Sequence, residues 1–124
     1  MKALILILVC CGVAATYWCP KTTVLDQNDV NGSQDIPIAK VTSEKDRGDD
    51  WEYELEHTSY AKRYSIYSYF PERIKIPKKC NTRLTVWKEY VLGYTYSVSY
   101  FYYYNFARPK NELTADERRM MGLD

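Results

Sequence analysis

A single histidine, His57, limits the nucleophilic chemistry open to this chain. A Ser-His-Asp or Cys-His arrangement would have to use it. It stands in phase with Trp51, Tyr53 and Leu55 in the stretch WEYELEH, on the apolar side of an alternating pattern. A packed or rim histidine fits that phase better than a general base. The chain is therefore expected to be no enzyme, with no catalytic residue and no cofactor. Glu52 and Glu54, with Asp49 and Asp50, offer the oxygen ligands that Ca²⁺ takes. They lack the spacing of an EF-hand loop, and a solvated acidic strand face accounts for them, so no metal is expected. Of four cysteines, Cys10 and Cys11 fall in an apolar leader, which leaves Cys19 and Cys80. Two cysteines and a distant histidine do not make a zinc motif. An even pair in an oxidising compartment implies one disulfide, Cys19–Cys80.

Three features carry recognition chemistry instead. Arg47-Gly48-Asp49 spells the tripeptide that integrins read, inside an expected exposed turn, although a charged turn uses Gly and Asp for its own geometry. Asn31-Gly32-Ser33 is an N-glycosylation sequon and also a turn signal, so Asn31 is a candidate glycan site. Eight of the chain's 19 aromatic residues lie between Tyr94 and Phe106. Tyrosine buries an apolar body and needs a partner for its hydroxyl, which suits core rims and interfaces. Phe101 and Tyr103 are the large apolar groups on the face shared with Thr95, Ser97, Ser99 and Asn105, and are the candidate partner-binding anchors.

The elements that hold these residues read mostly as strands. Residues 1–15, MKALILILVCCGVAA, have the charge, apolar run and small −3 and −1 residues of a signal peptide, and are too short to span a bilayer. Cleavage leaves 124 − 15 = 109 residues, one domain, with 17 − 1 = 16 basic against 16 acidic residues. That balance gives no bulk bias toward nucleic acid or anionic lipid. KTTVL (21–25) reads as a short strand, and DQNDVNGSQD (26–35) as a loop. Residues 36–42 read as a strand, in which Pro37 suggests an edge or a strand start. SEKDRGDD (43–50) reads as a charged turn. WEYELEH, KRYSIYSYF (62–70) and RIKI (73–76) alternate at period two. Thr82–Trp87 and Tyr94–Phe106 read as strands of a hairpin turning at Gly93. The core is expected to include Trp51, Tyr53, Leu55, Leu84, Val86, Tyr96 and Val98. Thr114-Ala-Asp-Glu117 matches a capping box, and Gly122 a stop. About seven short strands without a long helix imply an all-β antiparallel sandwich over 16–107, with a short helix or tail over 108–124.

Four stretches in order, TTVLDQND, DIPIAKVTSEKDRGDDWEYELEH, KRYSIYSYF and KKCNTRLTVWKEYVLGYTYSVSY, resemble the nematode transthyretin-like family of secreted β-sandwich proteins. Tyr67, Ser68 and Tyr69 stand where that family carries a His and a Cys, and no binding residue of the family is carried over. The resemblance implies a secreted, extracellular, non-enzymatic binding protein. Its partner would be an extracellular protein, lipid or glycan, not nucleic acid, and the chain would not be transmembrane. The competing expectation is a Tyr-rich structural protein that associates with itself, since a long aromatic strand without Lys or Glu is aggregation-prone when exposed.

Overall fold

A computed structural model describes residues 19–63, 71–96 and 102–123. The leader, most of KRYSIYSYF and residues 97–101, including Val98 and Phe101, lie outside the described residues. Five antiparallel strands form one sheet in the order β3-β2-β1-β4-β5. They are β1 (Ile36–Asp46), β2 (Asp50–Lys62), β3 (Arg73–Pro77), β4 (Glu89–Tyr96) and β5 (Tyr102–Pro109). Helix α1 (Gln27–Asn31) precedes the sheet, and α2 (Ala115–Met121) follows it. The all-β reading agrees with this architecture. Among the described residues there is one sheet of five strands, not two sheets of about seven in all.

Alternation sorts the strands onto two buried faces. One carries Ala39, Val41, Tyr53, Leu55, Ile74, Ile76, Tyr90, Leu92 and Ala107. Leu84 closes over it, with Trp51, Cys80 and Val86 partly buried at its margin. The other carries Ile36, Ile38, Val91 and Phe106, covered by Leu25, by Val30 of α1 and by Met121 of α2. Among the described residues, the sheet is thus buried on both sides without a second sheet. Of the expected core, Tyr53, Leu55 and Leu84 are buried.

Several expectations need correction. Gly93 makes no turn; it lies inside β4, opposite Phe106. A Cβ there would stand 2.1 Å from Phe106 Cε2, so the close approach of the ring requires glycine. Tyr94 and Phe106 accordingly belong to two strands of a hairpin, not to one. Thr82–Trp87 is not a strand either. It crosses the sheet face and is fastened by tyrosine hydroxyls: Leu84 N–H donates to Tyr53 Oη at 3.0 Å, and Thr85 N–H to Tyr90 Oη at 2.8 Å. Residues 21–25 contribute a single parallel bridge, Lys21 to Phe106, and no strand.

The polar stretch read as a loop contains α1. Asp26 accepts the Asp29 N–H at 3.0 Å, and the Asp29 carboxylate accepts the Asp26 N–H at 2.8 Å, so two acids form the capping box. β1 runs on to Asp46, which shortens the charged turn to Arg47–Asp49. Pro37 is the second residue of the central strand, beside a register shift, where a missing N–H is tolerated.

The C-terminal helix forms as its capping box requires. Thr114 Oγ1 accepts the Glu117 N–H at 3.1 Å, Glu117 Oε1 accepts the Thr114 N–H at 2.8 Å, and Gly122 ends the helix at φ +71°. It is no loose tail. Glu117 is fully buried and takes a two-pronged bond from Arg108, Nη2 to Oε1 at 2.8 Å and Nε to Oε2 at 2.9 Å. Glu117 Oε2 also accepts the Leu25 N–H at 2.8 Å, so one carboxylate ties the N-terminal segment, β5 and α2 together.

Candidate binding surfaces

The turn between β1 and β2 holds Arg47, Gly48 and Asp49 in the open. Gly48 adopts φ +89°, which glycine adopts without strain. The Asp46 carboxylate accepts from the Lys78 ammonium at 2.6 Å and from the Gly48 N–H at 2.9 Å, and these bonds hold its carboxyl below the usual range. Arg47 Nε bonds Glu52 Oε1 at 2.5 Å. The tripeptide is exposed, but its arginine is engaged within the hairpin. Beside it, the Lys78 ammonium and the Arg83 guanidinium stand 4.5 and 4.1 Å from the Trp51 ring centre. Arg83 also forks onto Glu44, at 2.9 and 3.1 Å, and holds that carboxyl low. The Tyr53 hydroxyl donates to Glu44 at 2.9 Å. Burial, then Glu44, pushes the Tyr53 phenol pKa up. This cluster is internally satisfied and fixes the segment over the sheet.

A different surface surrounds Trp87. The Lys88 N–H donates to the Thr85 carbonyl at 3.2 Å, closing a turn whose third residue is Trp87 at φ +75°. Turns with positive φ at that position favour Gly or Asn; a bulky residue there costs roughly 1–2 kcal/mol. The turn is hooked to β1, with Trp87 N–H on the Val41 carbonyl at 2.6 Å and Val41 N–H on the Lys88 carbonyl at 3.1 Å. The indole gains little burial in return, because Trp87 remains 70% exposed.

It lines an open groove of about 510 Å³ with Lys40, Lys88, Glu89, Lys110, Asn111 and Arg118. β1, the start of β4, the turn after β5 and α2 each supply part of that wall. Four cations face one lining acid, Glu89. Lys88 reaches Glu112 at 3.0 Å, and Lys110 stands 3.9 Å from Glu89. The groove keeps a positive balance when Glu112 is counted as well.

The solved structure of Ancylostoma ceylanicum Excretory-Secretory Protein 2 shares this fold. The likeness covers 85% of this chain and 94% of that one, at 24% identity and a TM-score of 0.60. No family model matches the sequence. No curated protein matches it either.

The remaining sequence-derived candidates are dispersed. Cys19 and Cys80 are joined, with Cα atoms 5.4 Å apart. Tyr103 lies in β5 opposite Thr95, and its side chain, like all of Phe101, is outside the described residues. Asn31 is exposed at the end of α1, where its side chain accepts from Gln27 Nε2 at 3.0 Å; Ser33 of the sequon is buried. Burial lowers the His57 pKa, against a weaker pull from Glu72. Among the described residues no group of three His, Cys, Asp or Glu is placed to hold a metal ion, and no helix is long and apolar enough to cross a membrane.

The residues that sequence reasoning passed over are Trp87, Lys40, Lys110 and Arg118. Trp87 itself falls at the end of the alternating stretch Thr82–Trp87, which reads as a strand. The other cations are distant in sequence and meet only through the topology.

Proposed function

We propose that this protein is a secreted, non-enzymatic binding protein that docks an extracellular or cell-surface partner through the face around Trp87. The observation that carries the reading is Trp87 itself: a large apolar ring, mostly exposed, in a backbone conformation that disfavours it. The exposed indole gains little for folding, and local strain of this kind clusters at functional sites. Secretion is supported by the signal-peptide character of residues 1–15, by the Cys19–Cys80 bond, and by the shared fold with an excretory-secretory protein. Kinship with the transthyretin-like proteins rests on the order of the four motifs. The adhesive reading of Arg47–Asp49 is weaker, since Glu52 already holds Arg47.

The test is Trp87→Gly. Glycine accepts positive φ, so the variant is expected to melt at the parent's temperature or slightly above it, with at least tenfold weaker binding to intact cells. Flow cytometry of the tagged protein and a thermal melt measure both. Undiminished cell binding by a folded variant overturns the assignment.

A second reading, self-association through the Tyr-rich hairpin, is favoured by the sheet order. Among the described strands β5 lies at the edge of the sheet, and edge strands template pairing with another chain.

A further inference from the structure

We infer that the groove beside Trp87 binds a sulfated polysaccharide chain; this rests on the reading of Trp87 as the docking residue. The groove combines what such a polymer needs. A sugar ring presents an apolar C–H face and a polar rim. Trp87 offers an exposed aromatic surface for the first. Lys40, Lys88, Lys110 and Arg118 offer cations for sulfate groups on the rim. Asn111 and the Glu89 carboxylate can donate to and accept from hydroxyls.

The charge is local. The whole chain carries only +1, so a wall with four cations against Glu89 and the adjoining Glu112 departs from its surroundings. Its shape also selects. A groove walled by a strand, a turn and a helix fits a linear polymer. A planar anionic membrane would press phosphates toward Glu89, and toward Glu112 beside Lys88. An acidic peptide would supply the charge but no stacking face for the indole.

The experiment uses the secreted protein with four probes in 150 mM salt: heparin, unsulfated heparosan, polyglutamate, and vesicles rich in phosphatidylserine. Heparin is expected to bind, and the other three at least tenfold more weakly. Lys40→Gln/Lys110→Gln and Trp87→Gly should each weaken heparin binding at least tenfold without lowering the melting temperature. Raising the salt should weaken parent binding by screening. Equal binding of heparosan or polyglutamate would overturn sulfate or sugar recognition, and vesicle binding without heparin binding would make this a membrane face. Heparin binding that survives both variants would place it elsewhere. Loss of cell binding in Trp87→Gly without any heparin binding by the parent would leave the docking face standing and sink the polysaccharide.

Discussion

The Glu117 carboxylate is wholly buried yet held ionised. Burial pushes its pKa up, but the Arg108 bonds and the N–H groups of Thr114 and Leu25 outweigh that and bring it down to about 2. A carboxyl depressed on folding contributes stability that is present above its unfolded value, near 4.5, and is lost as pH falls through about 2. The unfolded chain takes up its proton first, so acid favours unfolding in that window. Glu117→Gln should therefore cost roughly 3 kcal/mol at pH 7, since Arg108 is left buried without its charge partner. Denaturant titrations from pH 7 to 2 should also show a shallower acid loss in the variant. A parent-like stability curve would show that the pair is not a net contributor. The sequence revealed the capping box around Glu117 but not this role. Thr114 and Glu117 are three residues apart, whereas Leu25 is 92 residues away from Glu117.

At the scale of elements, legibility followed the hydrogen-bond partner. WEYELEH and RIKI alternate because each residue sits in a ladder with one buried face, and both were readable. TRLTVW alternates too, yet its N–H groups at Leu84 and Thr85 bond tyrosine hydroxyls, and side-chain pattern cannot distinguish a phenol from a neighbouring strand. α1 was hidden because the acids that cap it are the ones that make a loop look polar. Gly93 misled for a related reason: its role is to admit a ring from a residue 13 positions later. Gly93→Ala should destabilise by about 1–3 kcal/mol through overpacking. Adding Phe106→Leu, which removes the facing ring edge, should cost less in that background than in the parent. A double-mutant cycle by urea denaturation measures this coupling, and simple additivity would show that the two positions do not meet.

At the scale of the whole molecule, the segment from Cys19 closes the described fold. Cys19 reaches Cys80 across 61 residues, and the segment behind it lies along the edge strand β5. Lys21 N–H donates to the Asn105 carbonyl at 2.9 Å, and its carbonyl accepts the Ala107 N–H at 2.9 Å. The Lys21 ammonium is held at Asp29, 2.7 Å away, which raises its pKa. The disulfide thus does two things. It restricts the unfolded chain, worth about 4 kcal/mol by loop-closure entropy for a loop of this length. It also keeps a cover on part of an edge whose other end, Tyr102–Tyr104, is aromatic. The double variant Cys19→Ser/Cys80→Ser is expected to lose about that much stability at pH 7. At a temperature where it remains folded, its sedimentation coefficient should rise with concentration more steeply than the parent's. Stability loss with no change in association would mean that Lys21 holds the edge without the disulfide. Equal, strong association of the parent would favour the self-assembling protein over the binding module, because the edge would then be an interface in the native state.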